Sequence, residues 1–194
     1  HPLIDAVEAY QQKLPDREQF ISEWNLDDRK IALLLPGSRK QEISRMLPLM
    51  LNVASQFPDY QFVVAGAPGQ DASYYRSFTE KRSVKVISGK TYELLNYADA
   101  AMVTSGTATL ETAIFRVPQV VCYKGGFLSY LIARSLVKVK YISLVNLIMD
   151  REVVKELIQS DLSVKSLAKE FRAIATPGNR RNKMIAEYEE LYSK

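Results

Sequence analysis

The sequence is poor in the residues that support most metal and nucleophile chemistry. Its 194 residues include one cysteine, Cys122, and one histidine, His1. A lone cysteine excludes an internal disulfide and a cysteine-based zinc site, and it favours a reducing compartment. A lone terminal histidine argues against a serine–histidine triad and most histidine metal sites. We therefore expect neither a metal nor a cofactor.

Long apolar runs are also missing. No window approaches the ~18 consecutive apolar residues of a membrane-spanning helix, so no transmembrane segment is predicted. The chain begins at His1 without an initiating methionine or a signal-peptide pattern, from which we expect a domain excised from a longer protein. With 47% hydrophobic and 25% charged residues, its composition is that of a globular domain.

Acidic residues are absent from residues 112–149, although the same window holds five of the cations in a chain of net charge +4. Within it, residues 127–138 combine large apolar side chains with Arg134 and Lys138. This pattern is typical of a helix lying on an anionic membrane surface, and also of a core helix with basic ends. No base-stacking motif accompanies it, so no nucleic-acid partner is expected.

Over the first 123 residues, continuous apolar runs alternate with segments in which apolar residues recur at helical spacing. Continuous apolar runs predict strands buried on both faces, with helices between them. The predicted strands are residues 30–35, 61–66, 84–87, 100–103 and 119–123. This order predicts an α/β fold, a Rossmann-like doubly wound parallel sheet. The segment from about 150 to 194 has no clear strand pattern, and helices are predicted there at 152–159, 163–174 and 180–192.

The first of two unusual strand-to-helix turns is LPGSR, residues 35–39. Ligands of open parallel sheets bind at such turns, beyond the carboxyl ends of the strands. Gly37 lets the backbone approach a ligand closely, and Arg39 offers a fork of donors suited to phosphate. Ser38 is predicted to cap the next helix, with Gln41 completing the capping box. An ordinary turn with a solvated arginine is the alternative.

The second turn is TSGTATLE, residues 104–111. Free N–H groups and hydroxyls at Ser105, Gly106 and Thr107 suit a diphosphate at a helix N-terminus, and Glu111 is placed to accept from ribose hydroxyls. The turn lacks the Walker lysine and the dinucleotide glycine spacing, and no acidic pair stands ready for magnesium. A leaving diphosphate stabilised by helix dipoles and Arg39 is typical of transfer from an activated sugar. No acid other than Glu111 is predicted in these loops, so a general base is not evident.

Read with YISLVNLI at 141–148 and VKELIQ at 154–159, the two turns resemble the lipid-A-disaccharide synthase family. The LPGSR loop, SGTATLE turn, ISLxN segment and VxELxQ helix of that family occur here in order and at similar spacing, from residue 1 to about 159. The resemblance implies half of a GT-B glycosyltransferase, with residues 1–194 as the C-terminal nucleotide-sugar-binding domain. The N-terminal half, which would supply the general base, is then absent.

The activity that the resemblance implies is metal-independent, inverting transfer of 2,3-diacylglucosamine. The donor is UDP-2,3-diacylglucosamine, the acceptor is 2,3-diacylglucosamine 1-phosphate (lipid X), and the products are UDP and the β-1,6 disaccharide of lipid A. Matching residue by residue, Arg39 and Asn146 correspond to residues implicated in activity. The second turn is the one expected to face UDP, and the donor-binding residues of the two turns together are Gly37, Ser38, Arg39, Ser105, Gly106, Thr107 and Glu111. Val145 stands where the family often has proline.

The acylated substrates favour the membrane interpretation of residues 127–138. We expect contact with lipid or acyl chains from Phe127, Leu131, Arg134 and Lys138. The resemblance thus implies a cytoplasmic enzyme, peripheral on the inner membrane of a Gram-negative bacterium. Three alternatives stay open. The first is another GT-B enzyme with a UDP-GlcNAc-type donor, such as a MurG-like transferase or an epimerase. The second is a non-catalytic nucleotide-binding module. The third is a protein-interaction domain that uses the 127–138 face.

Overall fold

The computed structural model describes residues 2–126 and 140–193, except for the side chains of Pro2, Leu3 and Asp5. The predicted membrane contacts Phe127, Leu131, Arg134 and Lys138 lie outside the described residues. The strands are β1 (Lys30–Leu35), β2 (Tyr60–Gly66), β3 (Lys85–Ser88), β4 (Ala98–Thr104), β5 (Gln119–Tyr123) and β6 (Lys155–Ile158). The helices are α1 (Pro2–Gln11), α2 (Arg17–Glu23), α3 (Lys40–Ala54), α4 (Ala72–Thr79), α5 (Thr91–Tyr97), α6 (Thr107–Ile114), α7 (Leu144–Met149), α8 (Val164–Ala175) and α9 (Asn179–Tyr192).

The strands form one parallel sheet in the order β3-β2-β1-β4-β5-β6. In its centre, Leu33 of β1 lies opposite Val63 of β2 and Ala101 of β4. The chain leaves β1 towards β2 on one side and returns to β4 on the other, so the direction of winding reverses between β1 and β4. The prediction of a doubly wound parallel sheet is confirmed. Such a reversal opens a crevice at the carboxyl ends of these strands.

Successive residues of each central strand pack on opposite faces of the sheet. In β1, Ala32 and Leu34 belong to one apolar core, while Ile31, Leu33 and Leu35 belong to the other. The first core is covered by α3, α4, α8 and α9, and the second by α1, α2 and α5. Because both of their faces are buried, β1, β2, β4 and β5 consist largely of apolar runs, which is why they are visible in the sequence.

The prediction of a helix over residues 152–159 is wrong. Lys155–Ile158 forms β6, which pairs in parallel with β5, and a 3-10 turn follows at Gln159–Asp161. Only Leu157 is buried within this four-residue strand. Periodicity cannot separate helix from strand in so short and polar a segment, so the pairing with β5 decides the structure.

The C-terminal helices pack on this sheet. Phe171 of α8 contacts the rings of Phe57, Tyr60 and Phe62 at centroid distances of 4.9, 5.9 and 5.7 Å. The Tyr60 hydroxyl donates to the carbonyl oxygen of Ala175, at the end of α8, over 2.7 Å. Helix α8 is therefore anchored to β2 by aromatic packing and by a buried hydrogen bond.

The two edges of the sheet are its shortest strands. Strands β3 and β6 have four residues each, and each begins with a lysine, Lys85 and Lys155. The ammonium group of Lys85 donates to the carbonyl oxygens of Trp24 and Asn25, which brings the chain after α2 alongside β3. No helix within residues 2–126 and 140–193 has the length and apolarity needed to cross a membrane.

Candidate functional site

A cleft of about 500 Å³ lies at the carboxyl ends of β1, β2, β4 and β5. It brings together the residues predicted to face UDP, which are Gly37, Ser38, Arg39, Ser105, Gly106, Thr107 and Glu111. Residues that sequence reasoning missed also line it, including Glu42, Thr91, Thr104 and Tyr123. Two loops separated by about 65 residues thus converge because β1 and β4 are neighbours in the sheet.

The first wall of the cleft is the turn between β1 and α3. The predicted cap at Ser38 with Gln41 is wrong by one residue, because Arg39 is the N-cap of α3 and Glu42 is its third residue. The Glu42 carboxylate accepts from the backbone N–H groups of Ser38 at 3.0 Å and Arg39 at 3.2 Å. Gly37 has φ +102°, and a Cβ there would lie 2.6 Å from Glu42 Oε2, so the turn requires glycine.

This contact gives the two amides that precede α3 an anionic partner within the protein. A phosphate bound at Ser38 and Arg39 would have to displace the Glu42 carboxylate. The Arg39 side chain is different, since it is 71% exposed and its guanidinium lies 3.9 Å from the Glu42 carboxylate. In this wall, the side chain of Arg39 is therefore the more accessible donor to a ligand in the cleft.

The second wall is the turn between β4 and α6. Gly106 is the N-cap of α6 and has no side chain with which to bond the first amides. The N–H of Ser105 donates to the Cys122 carbonyl oxygen, and that of Thr109 donates back to Gly106. Among the described residues, no acceptor is bonded to the N–H groups of Gly106, Thr107 or Ala108. These donors lie at the positive end of the α6 dipole and suit an anion.

A buried hydroxyl adds to this wall. Thr104, the last residue of β4, lines the cleft and is 4% exposed. Its Oγ1 has no hydrogen-bond partner within residues 2–126 and 140–193. Buried polar groups are usually bonded, and Gln119 Oε1 is the other side-chain atom among the described residues that departs from this rule.

Glu111 lies one turn into α6 and is held by a tyrosine. The hydroxyl of Tyr92 donates to Glu111 Oε1 at 3.1 Å. Burial, together with the charge of Glu111 and this hydrogen bond, raises the pKa of Tyr92, so the phenol stays a donor at neutral pH. The carboxylate is thereby oriented at the rim of the cleft, where its remaining lone pairs suit hydroxyl donors such as those of a ribose.

Asn146 lies outside the cleft and is fully buried in α7. Its Oδ1 accepts from the N–H groups of Val153 and Val154, while its Nδ2 donates to Val154 O and to Glu156 Oε1, both at 2.8 Å. Glu156 also accepts from the N–H groups of Ile142 and Ser143. Asn146 thus fastens the start of α7 to β6.

This network reaches the cleft at one point. The carbonyl oxygen of Ile142 accepts a hydrogen bond from Ser105 Oγ at 3.3 Å. Val145, at the position where proline was expected, is fully buried, and Ser143 Oγ caps α7 by accepting from the N–H of Asn146. The geometry therefore gives Asn146 a positioning role, and its contribution to activity stays a prediction.

The carboxylates of the cleft are not clustered for metal binding. Within the described ranges, no group of three or more histidine, cysteine, aspartate or glutamate residues could hold a metal ion. The ionic groups in the cleft are the Arg39 guanidinium, Glu42 and Glu111. Among the described residues of the cleft, the donors that suit an anion are Arg39 and the first amides of α6.

Comparison with known proteins places these residues in one family. The family model for lipid-A-disaccharide synthetase matches residues 1–193. The lipid-A-disaccharide synthase of Syntrophus aciditrophicus is 38% identical over 202 residues, which cover 100% of this chain and 52% of that protein. That of Psychromonas ingrahamii is 36% identical over 187 residues, covering 92% and 49%. The chain spans about half the length of these relatives.

Solved structures share the fold at low sequence identity. A putative UDP-N-acetylglucosamine 2-epimerase from Listeria monocytogenes aligns with a TM-score of 0.61 at 15% identity, covering 98% of this chain and 50% of that one. The spinosyn rhamnosyltransferase SpnG aligns at 0.58 and 11% identity, covering 86% and 42%. The predicted architecture, half of a GT-B fold, is confirmed by this likeness, which concerns the fold alone.

Proposed function

Because this chain belongs to the lipid-A-disaccharide synthetase family, we propose that it is the donor-binding half of a lipid-A-disaccharide synthase. The complete enzyme transfers 2,3-diacylglucosamine from UDP-2,3-diacylglucosamine to the 6-hydroxyl of lipid X, releases UDP and forms the β-1,6 disaccharide of lipid A. It inverts the anomeric configuration and requires no metal. The general base belongs to an N-terminal half that this chain does not include.

One observation carries the proposal, namely that the β1–α3 and β4–α6 turns share a single cleft. The unbonded amides of Gly106, Thr107 and Ala108 supply backbone donors, and Arg39 supplies a charged side chain on the opposite wall. Glu111 stands on α6 beyond those amides, oriented by Tyr92. In this arrangement Glu111 is placed for the ribose of a nucleotide, and the amides and Arg39 are placed for its diphosphate.

These groups act on the leaving group. During transfer, the bond between the donor C1 and the β-phosphate oxygen breaks, while a bond forms between C1 and the acceptor O6, whose proton passes to the base. Negative charge grows on the β-phosphate, and the dipole of α6 and the Arg39 guanidinium stabilise it in place of a cation. The residues of this chain thus bind the nucleotide and favour its departure.

Nucleotide binding by this chain tests the proposal. We expect isothermal titration to show binding of UDP, with ADP weaker, and with no change on adding magnesium. Replacement of Arg39 by alanine removes a charged hydrogen bond and should cost about 1.5–3 kcal/mol, roughly ten- to a hundredfold in Kd. Arg76→Ala is the matched control, since Arg76 is exposed on α4 and does not line the cleft. An unchanged dissociation constant in Arg39→Ala would remove this residue from the site.

The role of Glu111 is tested by a pair of ligands. If Glu111 accepts from the ribose, Glu111→Gln should weaken UDP about tenfold and weaken 2′-deoxy-UDP less, since part of the contact is already missing there. An equal loss for both nucleotides would argue that Glu111 only supports the fold of α6. The epimerase alternative rests on fold likeness at 15% identity, whereas family membership favours the synthase.

We further propose that the enzyme is cytoplasmic and works peripherally at the inner membrane of a Gram-negative bacterium, where acylated substrates reside. The support is the sequence of residues 127–138, with its apolar side chains, its two cations and no acid. Flotation with anionic vesicles should recover the chain, and Leu131→Glu with Leu136→Glu should abolish recovery. Intact flotation of this variant would contradict the proposal, and phosphatidylcholine vesicles are the uncharged control.

A further inference from the structure

A second hollow, of about 480 Å³, adjoins the cleft along α3. Its lining residues are Arg45, Leu49, Lys124, Gly125, Gly126 and Gln159. Both of its cations follow residues of the cleft: Arg45 comes one helical turn after Glu42, and Lys124 comes directly after Tyr123. A turn of helix rises about 5.4 Å, so Arg45 lies roughly this far along α3 from Glu42, on the side away from Arg39.

The hollow is positively charged and has no acidic residue in its lining. Arg45 and Lys124 are both exposed, and neither forms an ion pair with any carboxylate that the structure describes. Glu42 is near Arg45 on α3, but its carboxylate is directed to the amides of Ser38 and Arg39. No carboxylate in the described part of the chain pairs with these two positive charges, so the hollow suits an anion.

The backbone beside Arg45 is shaped to admit the guanidinium. Gly125 has φ +140°, and a Cβ on it would collide with Arg45 Nη1. The Gly125 carbonyl oxygen accepts from the hydroxyl of Tyr123 at 2.7 Å and from Gln159 Nε2 at 3.3 Å. The loop is thus held by β5 and by the end of β6, and glycine lets Arg45 lie against it.

We propose that Arg45 and Lys124 form a phosphate-monoester subsite that binds the 1-phosphate of the acceptor sugar. The assignment of this ligand rests on the proposed function, in which the acceptor carries one such group and approaches the donor from the side opposite the nucleoside. A monoester dianion matches two cations, and the guanidinium fork suits two of its oxygens. The subsite would position the acceptor relative to the donor without contacting the reacting atoms.

The test uses glucosamine 1-phosphate as a soluble probe, titrated into this chain saturated with UDP. We expect binding that Arg45→Gln and Lys124→Gln each weaken about tenfold, with the UDP dissociation constant unchanged within twofold. Gly125→Ala keeps both charges but displaces Arg45, and should also weaken the probe. Arg76→Gln is the control variant, and glucosamine, which lacks the phosphate, is the control ligand.

The outcomes separate this inference from the proposed function. Absence of probe binding to the UDP-saturated chain, or binding that the double variant Arg45→Gln/Lys124→Gln leaves unchanged, overturns the subsite. Probe binding lost in that variant, in a chain that fails to bind UDP, supports a phosphate site and contradicts the nucleotide proposal. Vesicles containing phosphatidic acid form a separate arm: loss of vesicle binding in the double variant without any probe binding would identify a lipid headgroup as the ligand and overturn the acceptor assignment.

Discussion

At the scale of single residues, Asn146 lies away from the cleft but is connected to it by hydrogen bonds. Its side-chain amide accepts from two backbone N–H groups and donates to one carbonyl oxygen. It also donates to Glu156, which accepts hydrogen bonds from the residues before α7 as well. Through Ile142, the same segment accepts a hydrogen bond from Ser105 in the cleft. Loss of Asn146 would thus alter activity by moving a wall of the cleft.

Replacement of Asn146 by alanine should destabilise the chain by about 3 kcal/mol, because several buried groups lose their partners together. Urea denaturation followed by circular dichroism measures this change. Asn182→Ala is the control, since Asn182 is exposed on α9 and should change stability by less than about 0.5 kcal/mol. A similar, small effect of both variants would show that the network around Asn146 contributes little.

Glu42 places a negative charge in the cleft, and we expect this charge to oppose an anionic ligand. Its carboxylate holds the amides of Ser38 and Arg39 and lies beside the space assigned to the diphosphate. Glu42→Gln removes the negative charge and one strong acceptor, so we expect UDP to bind severalfold more tightly at low ionic strength. Titrations at two salt concentrations check this, and weaker binding would show that Glu42 supports the nucleotide.

The placement of Arg39 and Glu111 in one cleft was predictable from the sequence, because strand-to-helix turns of an open parallel sheet meet at its ligand-binding edge. Glu42 was overlooked because the cap was assigned to Ser38, one residue too early, which left the acid without a role. The burial of Asn146 depends on β6 pairing with β5, a contact between segments about 35 residues apart. The local sequence pattern cannot predict a contact between segments so far apart in the chain.

At the scale of elements, α8 depends on one aromatic side chain. Phe171 is fully buried and packs against Phe57, Tyr60 and Phe62. Truncation to alanine leaves a cavity between α8 and β2, so Phe171→Ala should cost about 3–5 kcal/mol. Phe78→Ala is a suitable comparison, because Phe78 is half-buried on α4 and should cost clearly less. Equal losses by chemical denaturation would argue against this anchoring role.

Strands β1, β2, β4 and β5 were predictable because each is an apolar run covered on both faces. The edge strands β3 and β6 have one buried side chain each, and β3 was predictable only from its β-branched residues Val86 and Ile87. Helices α8 and α9 were predictable from their apolar spacing, and their predicted bounds of 163–174 and 180–192 are displaced by at most one residue. Helix α7 at Leu144–Met149 was not predicted. Helix ends depend on capping contacts that a sequence pattern only partly specifies.

At the scale of the whole molecule, Cys122 reports on the integrity of the sheet. It is fully buried in β5, between β4 and β6, and burial raises the pKa of its thiol. Because the thiolate is the reactive form, a disulfide reagent should leave the native chain unlabelled and react with one thiol after unfolding. Labelling rates across a urea series should follow the circular dichroism transition. Fast labelling in buffer would show that the sheet opens locally near β5.

The edge strands of the sheet affect how readily copies of this chain aggregate. An exposed strand edge is a template on which another chain can add a strand, and short edges opened by lysine discourage this. Both edge strands here have four residues and start with Lys85 or Lys155, and Lys85 also binds the chain after α2. The protein is thus built against edge-to-edge aggregation, which matters most while newly made chains are crowded together.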